Sequence, residues 1–311
     1  MLNKKTLIII ALIATALLIT SRWHFTFFEE KNVRGISDGQ ELTSDQRLKV
    51  IFLDVGQGDA ILIETPEGAQ IILDGGEGQE VLEKLGQYLP ITDRTIELMI
   101  LSHPHGDHLD GLIEVLKRYS VKEVWLTGVV HTSSGYLEFL NLLKDKNIPV
   151  KNIFACTEIK ATGCSDKITF EDGVDFQVLW PRENLAGKKV DDLNNSSLVF
   201  KLVYGDNSWI LPGDLDSAAE SELAANSPEQ LKADILKVAH HGSSSATSEE
   251  FLKLVSPTDA IISVGADNDY GHPSLRIINR LKRAGVNIWR TDEQGDIETI
   301  GNGATIEVVS P

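Results

Sequence analysis

Ser102-His103-Pro104-His105-Gly106-Asp107-His108 decides how this 311-residue chain is read. It follows directly on the apolar run Leu98-Met99-Ile100-Leu101. Three imidazoles and a carboxylate crowded into so short a stretch are donors for a first-row metal ion. Alternate residues of a turn leaving a strand can direct His103 and His105 at one metal. Asp107 and His108 then face a second position beside it. A polar loop enriched in histidine by chance is the bland alternative. It fits poorly with the distribution: five of the eight histidines fall in two short clusters, this one and His240-His241.

Working outward, other polar residues also sit where apolar runs end. Gln70-Ile71-Ile72-Leu73 closes on Asp74-Gly75-Gly76, Trp209-Ile210-Leu211 on Pro212-Gly213-Asp214, and Asp234-Ile235-Leu236-Lys237-Val238 on Ala239-His240-His241-Gly242. Strand ends are rigid and can converge on one crevice. Helical stretches are expected over 79–88, 109–118, 135–146 and 217–226, and before Ala284. Strands interleaved with helices, with the second half echoing the first, predict an α+β fold of two sheets packed face to face with helices outside. Gly242-Ser243-Ser244-Ser245 lacks the glycine spacing of a nucleophile elbow, so a metal-activated water is the better nucleophile.

A formal net charge of −17 argues against gripping a polyanion through general surface electrostatics. It leaves room for a local basic groove, for which Lys160, Lys167, Lys188, Lys189 and Lys201 are the available cations, or for a metal that binds phosphate. An aromatic content of 6% argues against long stacking platforms for single strands. At the N-terminus, Lys4 and Lys5 precede an apolar run over 7–19, which predicts a signal peptide or an uncleaved membrane anchor over 1–25. Ile19-Thr20-Ser21-Arg22-Trp23 is a poor cleavage site and tilts the reading towards the anchor. A polar linker over 26–47 and one hydrolase domain over 48–311 are expected, placed outside the cytoplasm. In an exported chain Cys156 and Cys164 are expected to pair as a disulfide, with two free thiols as the alternative.

The His-x-His-x-Asp-His pattern of His103, His105, Asp107 and His108 resembles the metal motif of the metallo-β-lactamase superfamily. Asp74 matches that superfamily's earlier aspartate at the end of a strand, and Asp214 and His240 or His241 match its later motifs in order. The resemblance implies an αββα metallo-β-lactamase sandwich, here preceded by one N-terminal signal or anchor helix, with one or two zinc or manganese ions between the sheets. Leu53-Asp54-Val55-Gly56-Gln57-Gly58-Asp59-Ala60, Lys237-Val238-Ala239-His240-His241-Gly242-Ser243 and Tyr270-Gly271-His272-Pro273 are similar to the extracellular hydrolase domain of ComEC-type competence proteins and their stand-alone relatives. In those proteins a channel takes up single-stranded DNA, and the hydrolase domain is thought to degrade the other strand.

One departure bears on the metals. The superfamily's third-motif histidine falls in a region that reads Asp192-Leu193-Asn194-Asn195-Ser196-Ser197 here, and asparagine is a poor zinc ligand. The expected ligands are therefore His103, His105 and Asp214 for one ion, and Asp107, His108 and His241 for the other, with Asp214 bridging. His131 is a candidate to complete the first set, with an exposed loop residue as the alternative. Asp74 is expected to orient a ligand histidine through its other ring nitrogen. Asp107, His240 and His272 are the catalytic candidates, and Asp59, Asn195 and Ser243 are candidates near the substrate. An exported phosphodiesterase or nuclease is the leading functional reading, with a phosphoester, DNA among them, as substrate and no nucleotide cofactor. A hydrolase of a choline-phosphate ester, a lactone or a β-lactam is the alternative, and a catalytically silent binding module is a third.

Overall fold

The computed structural model describes residues 46–156, 164, 167–170 and 172–310. The expected signal or anchor segment, nearly all of the linker, and Lys160 lie outside the described residues. Among the described residues no helix is long and apolar enough to cross a membrane.

The chain first runs through β1 (Leu48–Phe52), β2 (Ile61–Glu64), β3 (Gln70–Leu73), α1 (Glu80–Tyr88), β4 (Thr95–Ile96), β5 (Leu98–Ile100), α2 (Gly106–Arg118), β6 (Ser120–Val121), β7 (Val124–Leu126), α3 (Ser134–Asp145) and β8 (Val150–Asn152). The second half comprises β9 (Lys167–Thr169), β10 (Val174–Trp180), β11 (Val199–Tyr204), β12 (Asn207–Leu211), α4 (Ser217–Asn226), β13 (Ile235–Lys237), α5 (Glu249–Val255), β14 (Asp259–Ile262), α6 (Leu275–Ala284), β15 (Asn287–Arg290), α7 (Thr291–Gln294), β16 (Ile297–Gly301) and β17 (Ile306–Val309). They form an eight-stranded sheet in the order β17-β16-β1-β2-β3-β5-β7-β8 and a seven-stranded sheet in the order β15-β14-β13-β12-β11-β10-β9.

Both sheets are apolar on both faces, and the two-residue period of a strand sorts their side chains into layers. Val50 and Phe52 of β1, Ile61 and Ile63 of β2, and Trp209 and Leu211 of β12 belong to the core between the sheets. Their neighbours Ile51 and Leu62 face α1, α2 and α3, and Ile210 faces α4, α5 and α6. The result is the expected sandwich, helix–sheet–sheet–helix. Cys156 and Cys164 form a disulfide across a sequence separation of 8.

Two features position the site. The first is where α2 begins. It starts at Gly106, three residues before the point expected from its apolar periodicity. His105 stands at the N-cap and Asp107 in the first turn, where the helix dipole favours a carboxylate. The second is the close seating of this turn against two glycine loops. A Cβ at Gly58 would strike the carbonyl of Asp107, and one at Gly75 would strike the backbone of Leu112. Without those side chains, Asp59 N reaches Asp107 O at 3.2 Å and Gly75 N reaches His108 O at 2.8 Å.

Candidate metal centre

The loop after β5, the turn after β12 and the turn after β13 meet at one end of the sandwich. Asp107, His108, Asp214 and His241 converge there, with one donor atom from each lying within 4.8 Å of the others. His108 and Asp214 are fully buried, as is His241. His241 Nε2 lies 3.3 Å from Asp107 Oδ2 and 3.4 Å from Asp214 Oδ2, and His108 Nε2 lies 3.3 Å from Asp214 Oδ2. Yet His108 Nε2, His241 Nε2 and Asp214 Oδ1 have no hydrogen-bond partner. Buried polar atoms are almost always partnered. Two imidazole nitrogens left open, with the Asp214 Oδ2 atom within 3.4 Å of both, fit a divalent transition metal.

The second ring nitrogens are held from behind. His108 Nδ1 lies 2.9 Å from Asp74 Oδ2, and Asp74 is itself fixed by Ser102, whose N–H and hydroxyl donate to it at 2.7 and 2.6 Å. This is the geometry expected for Asp74. His241 Nδ1 donates to the Ser263 carbonyl at 3.0 Å. Such partners fix ring orientation and leave Nε2 as the donor to a metal.

The charges around these rings balance in a way that also fits a cation. Burial would lower the pKa of His108 and His241, but carboxylates outweigh it, chiefly Asp214 and Asp107 for His108, and Asp214 and Asp59 for His241. Both rings are held well above the ordinary histidine value. Burial would raise Asp214, yet His241 and His108 hold it well below the usual carboxylate range.

His103 and His105 are not gathered into this cluster. His103 Nε2 pairs with His105 Nδ1 at 3.0 Å, so each ring satisfies the other. His103 Nδ1 lies 3.0 Å from Ser102 Oγ and 3.4 Å from Ser197 Oγ. Burial holds His103 well below the ordinary value, and the neighbouring His108 reinforces this. The structure brings Asp107, His108, Asp214 and His241 together and leaves His103 and His105 outside that group.

The histidine pair after β13 divides as expected. His240 (φ 51°, ψ 48°) and His241 (φ 52°, ψ 24°) both adopt left-handed backbone, unusual for two consecutive non-glycine residues. This sends His241 inward to the cluster and leaves His240 on the wall of an open cleft of about 360 Å³. His240 Nδ1 lies 3.3 Å from Asp216 Oδ1, and Nε2 lies 3.9 Å from Asp214 Oδ2. His272 also lines this cleft. Burial, with His241 and His240 nearby, lowers its pKa.

Three expected site residues take other roles. The Asn195 amide is engaged locally: Oδ1 accepts from Asp216 N at 3.1 Å and Nδ2 donates to Asp192 at 2.9 Å. Its neighbour Asn194 lines the cleft instead, within 3.5 Å of the His240 ring. Ser243 pairs with Ser245 at 3.0 Å and shapes the turn after the histidines. His131 pairs with Ser133, the N-cap of α3, at 3.1 Å, and is absent from the cleft lining. Of the available lysines, Lys167 pairs with Asp175 at 2.6 Å and Lys188 with Glu183 at 2.7 Å.

Asp59, expected near the substrate, lies beneath the cluster. It forms an ion pair with Lys237, and its Oδ1 lies 3.4 Å from His241 Nδ1. Lys237 is fully buried, donates to the Gly213 carbonyl at 3.1 Å and lies 3.7 Å from Asp214 Oδ1. Burial would lower its pKa, but Asp59 and Asp214 outweigh this and raise it. Neither Lys237 nor Asp216 was marked by sequence reasoning. For Lys237 the signal was present: one cation inside an otherwise apolar parallel strand must be paired.

Residues 53–266 match the model of the Metallo-beta-lactamase superfamily, and the chain belongs to that family. Its relatives include ComE operon protein 3 of Bacillus subtilis, 31% identical over 267 residues that cover 80% of this chain and 32% of the relative. Competence protein ComA of Neisseria gonorrhoeae is 28% identical over 264 residues, covering 85% of this chain and 34% of the relative. The resemblance to ComEC-type competence proteins therefore holds at the level of sequence. The chain spans about a third of the length of these curated relatives. Among solved structures, the metallo-beta-lactamase fold protein YhfI of Bacillus subtilis aligns with a TM-score of 0.49 at 11% identity, covering 84% of this chain and 100% of that one.

Proposed function

We propose that this metal-dependent hydrolase is a phosphodiesterase that cleaves nucleic acid outside the cytoplasm. The observation that carries the reading is the buried, unpartnered pair His108 Nε2 and His241 Nε2, both facing Asp214 Oδ2, beneath an open cleft walled by His240 and His272. One or two zinc or manganese ions, which Asp107, His108, Asp214 and His241 would hold, with His103 and His105 as candidates for a second, would supply an activated water and neutralise phosphate charge. The chain's own residues do the rest. Asp74 and the Ser263 carbonyl fix the ligand rings. Asp216 orients His240, whose Nε2 faces the cleft and is placed to give a proton to the leaving oxygen. Asn194 is near enough to donate to a phosphate oxygen or to His240.

The competence-protein relatives and a local match to Ribonuclease Z of Aeropyrum pernix, 30% identical over 83 residues covering 26% of each chain, support a nucleic-acid substrate. The apolar run over 7–19 supports export with anchorage or cleavage. A second reading, a small non-nucleotide ester, is favoured by Glu77 in the cleft wall, a carboxylate that would repel a flanking phosphate.

The test is hydrolysis of labelled single- and double-stranded DNA beside bis-p-nitrophenyl phosphate, with manganese or zinc, and the Asp107→Ala/His108→Ala double variant as control. DNA cleavage lost in that variant is the expected result. Cleavage of the small diester alone would move the function to a non-nucleic phosphoester. Inactivity on all three would reject the phosphodiesterase.

A further inference from the structure

Tyr270 stands at the rim of the cleft with 68% of its surface exposed. Asn268 pins the loop around it from both sides. Its Oδ1 accepts from Tyr270 N at 3.2 Å and His272 N at 3.0 Å, and its Nδ2 donates to Gly265 O at 2.8 Å and His272 O at 2.7 Å. The Tyr270 ring stacks on His272, with centroids 5.7 Å apart and planes 22° apart. His272 in turn lies 6.5 Å from His241 at 31°. The rings of His241, His272 and Tyr270 thus step from the metal cluster to the rim, where the outermost is largely exposed.

We infer that the open face of Tyr270 is a stacking subsite for the unpaired base of a nucleotide whose phosphate lies over the metal cluster. This rests on the phosphodiesterase reading and deepens it: the substrate is a single strand or a frayed end, because a paired base cannot leave its stack without added cost. One flat face suffices for a base, and stacking accepts every base. A quaternary ammonium would instead require several rings arranged as a cage, and Tyr270 is the one tyrosine, tryptophan or phenylalanine that lines the cleft among the described residues.

The experiment isolates the base. Calorimetry on the full chain in manganese compares thymidine 5′-monophosphate with deoxyribose 5-phosphate, for the native protein, Tyr270→Ala and Tyr270→Phe. Stacking is worth roughly 5- to 150-fold in affinity, so the native protein should prefer the nucleotide by that factor. Tyr270→Ala should erase the preference, Tyr270→Phe should keep most of it, and binding of deoxyribose 5-phosphate should be unchanged in both. Equal affinity for the two ligands in the native protein, no binding of either, or a preference that survives Tyr270→Ala would overturn the subsite. Tighter binding of phosphocholine, lost in Tyr270→Ala, would reassign the face to a quaternary ammonium and overturn it too. The two readings fail separately. A base preference without DNA cleavage removes the hydrolytic reading and leaves the subsite standing. DNA cleavage without a base preference does the reverse.

Discussion

Replacing Lys237 by methionine keeps the length and most of the volume of the side chain and removes its charge. Asp59, 1% exposed, is then left as a buried carboxylate without its cation, and the Gly213 carbonyl loses a donor. Breaking a buried ion pair from one side costs about 3–5 kcal/mol, because the surviving charge is stranded. For a domain of this size that corresponds to a fall in Tm of roughly 6–10 °C. Removing both charges, in Asp59→Asn/Lys237→Met, strands nothing and should recover most of the loss. The coupling energy between the two positions should therefore reach about 2–3 kcal/mol. Urea unfolding of the metal-free protein, followed through the buried Trp209 and Trp125, measures all four corners of the cycle. A coupling below about 0.5 kcal/mol would refute the reasoning, since the carboxylate would then be satisfied without the lysine.

Asp74→Asn should weaken metal binding about 10- to 100-fold by loosening His108, measured by competition with a chromogenic chelator. His240→Ala should lower kcat by roughly 10²- to 10⁴-fold while metal stoichiometry stays at the native value, read by elemental analysis beside the rate. Cys156→Ser/Cys164→Ser should lose about 2.5 kcal/mol of stability on chain-entropy grounds for so short a loop, seen as a shift of the urea midpoint. Glu220 supplies the pH test. Burial pushes it up to about 7 despite N–H donors from Ser248 and Thr247. A folded pKa above the unfolded one contributes stability that is complete below the unfolded value near 4.5 and is lost as pH rises through 7. The native protein measured against Glu220→Gln should therefore lose about 3 kcal/mol between pH 4.5 and 8; a flat difference would contradict the burial.

Most of the site could be read from the chain, because donors that must converge sit at strand ends and carry chemistry in their identity. His108, Asp214 and His241 needed only that rule, and Asp74 only its place after an apolar strand. What escaped depended on distance in space. β16 pairs with β1 across nearly the whole domain, and its short alternating pattern gives no hint of a partner so remote. Asn194 and Asn195 are chemically identical neighbours, and only the short helical turn over Asn194–Ser196 decides which one faces the cleft. The pairing of His103 with His105 likewise depends on ring rotations that spacing does not encode. Asp216 lies two residues beyond Asp214 and becomes visible as a partner only once His240 arrives from another strand.

The two left-handed residues in succession at His240 and His241 tie two tasks to one piece of backbone. Each such residue is held at an expense of about 1–3 kcal/mol by its surroundings, here by His240 N on the Gly213 carbonyl and Ser243 N on the His240 carbonyl. The inward ring and the outward ring cannot be adjusted independently, since any relaxation of φ at one swings the other. A substitution at either position that prefers right-handed backbone would disturb metal grip and proton delivery together. The spacing between the atom that binds and the atom that protonates is therefore set by main-chain geometry, and side-chain exchange alone cannot retune it.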